Sequence, residues 1–177
     1  DVAPEIRKEL GARFRREASL AAKLSHPNLV TIHDFGLTKQ GLQYVVMELL
    51  DGRSLKSWMK KGPIPAEEAA RIAAALARGL RHAHGQGLVH RDVKPSNVLL
   101  VRDDDGVEQP QLLDFGLVKS VDSDLEMTGE ASYLGTPLYM SPEQVRRGGN
   151  VDHRSDIYAL GCMLYGMLTG VMPYRGD

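Results

Sequence analysis

A single cysteine in 177 residues, Cys162, rules out intrachain disulfides and any cysteine-rich metal site, and points to a reducing compartment such as the cytoplasm. It sits in the apolar run YALGCMLYGML, where it reads as a small buried hydrophobe rather than a nucleophile. Long apolar runs are missing too. No stretch reaches the roughly 18 to 20 uninterrupted apolar residues of a membrane span, and the first residues carry no signal-peptide pattern, so no membrane contact is expected from this segment. Nor does charge of one sign prevail: a formal net charge of -1 and pI ≈ 6.7 leave no basic footprint for nucleic acid or an acidic membrane. The basic stretch RKELGARFRR is diluted by glutamates and reads as a solvated helix face. DDDG lacks the alternating ligand spacing and terminal glutamate of a calcium loop, which leaves an exposed hairpin turn.

What is present is an ordinary globular balance, 42% hydrophobic and 25% charged, with no internal repeat or low-complexity linker. A first helix opened by Pro4 is expected to end near Ser25, because His26-Pro27 blocks its continuation. LVTIHDFG and LQYVVMELL read as antiparallel strands joined by the glycine-containing LTKQG. Pro65 then opens a long helix whose inner face carries Ile72, Leu76, Leu80 and Ala83 and which stops near Gly85 or Gly87. Short apolar runs, LVH, NVLLV and QLL, follow between polar loops. The segment from Asp114 to Glu143 is longer than connections usually are in compact domains, and DIYALGCMLYGMLTG closes the chain as a buried helix.

One residue of the first helix is out of pattern. Leu10, Phe14, Ala21 and Leu24 mark one face, and Glu17 falls in the gap of that face. An unpaired buried charge costs several kcal/mol, so Glu17 either lies at the stripe's edge in water or has a cationic partner.

The chemistry concentrates in HRDVKPSN, which gathers a carboxylate (Asp92), an ammonium (Lys94) and an amide (Asn97) within about one turn of chain. Further on, Asp114 of DFG leaves another apolar run. Two carboxylates and an amide at strand ends suit Mg²⁺, which takes few protein ligands and borrows the rest from phosphates and water. A lysine beside a carboxylate suits phosphoryl transfer: it neutralises the moving oxygens while the carboxylate orients the attacking hydroxyl. Either triplet alone would be weak, but GTPLYMSPE (135–143) and SDIYALG (155–161) follow in order.

Together these motifs identify a sequence that resembles the eukaryotic-like (Hanks-type) Ser/Thr protein kinase family. Lys94 and the Thr136 of GTP look like the Ser/Thr branch, and SPEQ with the RFRREA opening looks most like bacterial members. The resemblance implies an α+β, two-lobed kinase fold, present in part: residues 1–47 as the remainder of the small lobe, 48–53 as the hinge and 54–177 as the large lobe through the last helix. It also implies roles. Asp92 is the catalytic base, Lys94 contacts the γ-phosphate, and Asn97 and Asp114 hold Mg²⁺ or Mn²⁺. Met47 falls at the gatekeeper position, Glu48 to Leu50 meet the adenine of ATP through backbone groups, and Leu99 lies under the ring. Met47 and Leu99 would equally be apolar core residues in a protein that bound nothing. Phe115 is expected to pack under the first helix with His90 beneath it, and Asp156 to anchor the catalytic-loop backbone. The long loop becomes an activation segment. Arg91, immediately before Asp92, would pair with a phosphorylated residue of that loop, for which Thr128 is the best candidate, modified through a kinase–kinase contact for autophosphorylation. Thr136 shapes the pocket for the substrate residue that follows the target Ser or Thr.

The family's glycine-rich loop and strand lysine are not in this sequence. Lys8 is no substitute, being inside the helical EIRKEL, so Glu17 is expected to pair with a lysine preceding Asp1, and Glu143 with an arginine following Asp177. The chain is therefore expected to be an internal piece of a kinase domain, inactive alone, with an apolar patch exposed on its last helix. The implied activity of the parent is non-specific Ser/Thr protein phosphorylation. A pseudokinase scaffold is the alternative, weakened by the presence of Asp92, Lys94, Asn97 and Asp114.

Overall fold

The computed structural model describes residues 4–40, 42–103, 105–113, 115, 137–146 and 151–174. Helix α1 spans Pro4–Ala21, and Lys23 and Leu24 add two tight bonds to the carbonyls of Leu20 and Ala21. Regular α-helix thus stops four residues before Ser25, since the chain tightens into a turn ahead of His26-Pro27 instead of carrying full α geometry up to it. Phe14, Ala18, Ala21 and Leu24 are buried, so the apolar stripe faces the core.

Strands β1 (Ile32–Leu37) and β2 (Gln43–Met47) form the expected antiparallel hairpin. Phe35 on β1 meets Phe14 edge-on at 6.5 Å, which fixes α1 against the hairpin. A second sheet has the order β3 (Gly52–Ser54), β4 (Val98–Arg102), β5 (Glu108–Leu112). β3 therefore begins inside the 48–53 stretch. The Asp103 carboxylate accepts from the amides of Asp105 and Val107, so it holds the hairpin turn. Among the described residues no group of three or more His, Cys, Asp or Glu converges on a metal position.

The two sheets meet at a seam. Val30 donates to the Leu112 carbonyl (3.0 Å), Leu112 to that of Asn28 (2.9 Å), and the Asn28 amide reaches the Pro110 carbonyl at 2.9 Å. This is a parallel bridge, Leu29 with Leu112, that joins the α1–β1 connection to β5.

Helix α2 (Leu55–Met59) leads to α3 (Ala66–Gly85), which buries Ile72, Leu76, Leu80 and Ala83 as their spacing predicts. α4 (Pro142–Val145) is a single turn, and α5 (His153–Thr169) is the closing helix. α3 packs on both β5 and α5, where Met163 and Met167 are fully buried and Cys162 is buried. Asp152 caps α5 by accepting from the Arg154 amide, and the Arg154 side chain holds its carboxyl at about 2. Ile157, Tyr165 and Leu168 remain 51%, 44% and 43% exposed, the apolar surface expected of this helix. No helix of the described residues is long and apolar enough to cross a membrane.

Gly52 lies where β3 runs closest to β4: a Cβ there would stand 2.6 Å from the Leu100 carbonyl oxygen. Gly52→Ala is expected to push the strands apart and cost about 1–3 kcal/mol, read as a lower midpoint in urea unfolding. An unchanged midpoint would show that β3 has slack.

Candidate functional site

The loop from Leu88 to Asn97 connects α3 to β4, and a buried carboxylate shapes it. Asp156, 1% exposed in the first turn of α5, accepts from the backbone amides of His90 and Arg91, each at 2.8 Å, and meets His84 Nε2 at 2.7 Å. Arg91 has φ 64°, a left-handed conformation that costs a residue with a Cβ free energy unless its surroundings hold it. Here they do. Its N–H is bound by Asp156, its carbonyl accepts from Gln144 Nε2 at 2.9 Å, and its guanidinium meets Glu17 Oε1 at 2.9 Å.

His90 is fully buried. Its Nδ1 accepts from the Asp92 amide at 3.2 Å and its Nε2 lies 2.7 Å from the Leu113 carbonyl, a pair that fits the tautomer protonated at Nε2. Its ring packs on Phe115, centroids 5.0 Å apart, with Phe115 in the same core as Phe14 and Ala18 of α1.

Past that support, the short helical turn Pro95–Asn97 folds the loop back on itself. Asp92 Oδ2 lies 2.7 Å from Lys94 Nζ and 3.0 Å from Asn97 Nδ2, and the same amide nitrogen donates to the Asp92 carbonyl at 2.9 Å. The Asp92 side chain is 16% exposed and that of Lys94 29%, so the pair lies at the surface of a crevice with one side to solvent. The Leu113 amide bonds to the Asn97 carbonyl at 2.8 Å, tying the residue before Asp114 to the loop. Asp114, Thr128 and Thr136 lie outside the described residues.

Two carboxylates expected to pair with residues outside this sequence also have partners within it. Glu17, its side chain 15% exposed, meets the guanidinium of Arg91 on the loop beneath α1, and the expected pairing with a lysine preceding Asp1 lies outside the described residues. Beside this pair a cavity of about 540 Å³ opens, lined by Arg16, Glu17, Leu88 and Arg91 among others. Glu143 accepts from Ser155 Oγ at 2.6 Å, and that hydroxyl holds its carboxyl below the usual range. A neighbour in the first turn of α5 thus holds it, and the expected pairing with an arginine following Asp177 lies outside the described residues.

Of the positions implied for adenine, Met47 ends β2 opposite Ile32, and Leu99 sits on β4 between Ser54 and Gln111. Glu48 is fixed twice to Thr31: its amide donates to the Thr31 carbonyl at 2.9 Å and Oε1 accepts from the Thr31 amide at 2.6 Å. Leu49 is fully exposed and Leu50 half-buried. Sequence reasoning overlooked His84 and Gln144. The first had a signal, a histidine in the last turn of a helix running into the loop; the second is the Gln of SPEQ, which ends an S-x-x-Q capping box.

Comparison with known proteins agrees with this geometry. The family model for the protein kinase domain matches residues 3–177. The serine/threonine-protein kinase PknB of Mycobacterium leprae is 41% identical over 93% of this chain and 26% of its own length, and pkn3 of Myxococcus xanthus is 39% identical over 94% and 31%. The chain spans about a quarter to a third of the length of these curated relatives. Among solved structures, Rad53 residues 1–466 in complex with AMP-PNP superimposes with a TM-score of 0.74 at 28% identity, covering 93% of this chain and 40% of that one. With a family model matched over nearly its whole length and bacterial Ser/Thr kinases at about 40% identity, the chain belongs to the protein kinase domain family.

Proposed function

We propose that the protein containing this chain transfers the γ-phosphoryl group of ATP to Ser and Thr hydroxyls of other proteins. The observation that carries this reading is the Asp92 carboxylate, in contact with Lys94 Nζ at 2.7 Å and Asn97 Nδ2 at 3.0 Å on a loop fixed from beneath. Asp92 orients the substrate hydroxyl and takes its proton as the oxygen bonds to phosphorus and the bond to the β-phosphate oxygen breaks, with ADP leaving. Lys94 offsets the negative charge of the transferring group. Asn97 commits its side-chain nitrogen to Asp92, so its side-chain oxygen Oδ1 is the atom left for a hard cation; with Asp114 it would hold Mg²⁺ or Mn²⁺. That ion neutralises charge on the phosphate oxygens. Met47, the backbone of Glu48 to Leu50, and Leu99 form the adenine side, and Thr136 shapes the substrate pocket.

Arg91 adds a regulatory reading. Its guanidinium and that of Arg16 border the cavity beside Glu17, so a phosphate on Thr128, added by a second kinase molecule, would compete with Glu17 for Arg91. The test of the whole reading is direct. The complete gene product, given radiolabelled ATP, Mg²⁺ and a generic protein substrate, is expected to yield phosphoserine and phosphothreonine. A folded product that transfers no label would leave only a scaffolding role.

A further inference from the structure

Among the described residues, Gln144 links Ser141 to the peptide bond preceding Asp92, and it does so with both ends of its amide. Its Oε1 accepts from the Ser141 amide at 3.1 Å and from Ser141 Oγ at 3.2 Å, which closes the first turn of α4; its Nε2 donates to the Arg91 carbonyl at 2.9 Å. The Arg91 carbonyl and the Asp92 amide belong to one peptide plane, and the Asp92 amide is itself bound by His90 Nδ1. The plane is thereby held at its oxygen by Gln144 and at its nitrogen by His90. Rotation of that plane would swing the Asp92 carboxylate, and Arg91 at φ 64° has no relaxed alternative to restrain it. Ser141 is fully buried and Gln144 half-buried, and a cavity of about 20 Å³, room for about one water, is lined by Asp92, Lys94, Tyr139 and Gln144 among others.

We infer that Gln144 is a positioning residue for phosphoryl transfer: a latch that sets the orientation of Asp92 only when the segment around Pro137–Tyr139 and α4 is docked. The inference rests on the phosphotransfer reading above and assigns that site a further determinant. Glutamine is required because the two contacts need opposite polarity. A glutamate keeps the acceptor toward Ser141 but sets a carboxylate oxygen against the Arg91 carbonyl, so it preserves the cap and breaks the latch. A methionine of similar length loses both.

The test compares Gln144→Glu and Gln144→Met in the complete gene product. Gln144→Glu is expected to lower kcat about tenfold, with KM for ATP changed less than about twofold, as one lost hydrogen bond with an unsatisfied carbonyl predicts. Its thermal midpoint should fall less than that of Gln144→Met, because the contact with Ser141 is kept. Gln144→Met should lower kcat and midpoint together. A kcat for Gln144→Glu within about twofold of wild type, or a midpoint that falls as far as that of Gln144→Met, would overturn the latch. If the wild type transfers no phosphate, the phosphotransfer reading fails instead. The latch is then judged by amide exchange of residues 89–93, which must quicken in Gln144→Glu for it to stand.

Discussion

Asp92→Asn is expected to cut the phosphoryl-transfer rate by about a thousandfold, within the range for removing a positioned general base. The substitution is nearly isosteric, and an asparagine oxygen still accepts from Lys94 or Asn97, so the loop keeps one of its two side-chain contacts. The fold should survive, as should nucleotide affinity, since the groups implied for adenine lie on β2, its following strap and β4. The measurement is kcat and KM under steady-state conditions beside a thermal melt. Retention of more than about a tenth of the wild-type rate would remove Asp92 from the role of base.

Asp156→Ala should have the largest effect on stability. Three donors, the amides of His90 and Arg91 and the ring of His84, lose their common acceptor in a place sealed from water. Breaking a buried charged hub costs about 3–5 kcal/mol, a large share of the roughly 5–15 kcal/mol that holds a domain folded. The loss falls on one element in particular. Arg91 sits at φ 64° partly because Asp156 grips its amide, so release of that strain should unfold the catalytic loop ahead of the rest. Urea unfolding followed by circular dichroism, with activity on the same samples, reads both effects. A midpoint near wild type would mean that water replaces the carboxylate and that the hub is not closed.

Much of this arrangement was legible locally. The spacing of Ile72, Leu76, Leu80 and Ala83 gives the inner face of α3, because burial on a helix repeats with the turn. Pro65 and His26-Pro27 punctuate helices by backbone chemistry that needs no partner. The contact of Asp92 with Lys94 and Asn97 was readable because the three are close in sequence and meet within one loop. What escaped were the bonds between distant stretches. Glu17 stood out as a charge in an apolar stripe, which implied a cation without saying which; Arg91 lies 74 residues away and is chosen by how α1 packs over the loop. Gln144 reaches 53 residues back to a carbonyl, and no side-chain pattern records where a carbonyl points. Asp156 carried a signal of its own, a carboxylate at the head of an otherwise apolar helix, and the family resemblance supplied what it binds.

The seam between Val30 and Leu112 has a mechanical consequence. The chain leaving α1 is riveted to β5, and β5 runs directly into Leu113 and Phe115, so both moving parts hang from one fixed line. Helix α1 cannot slide away from the loop without tearing a buried bridge that includes the Asn28 amide. Any displacement that parts Glu17 from Arg91 is therefore opposed where the chain leaves α1, by an asparagine and two leucines.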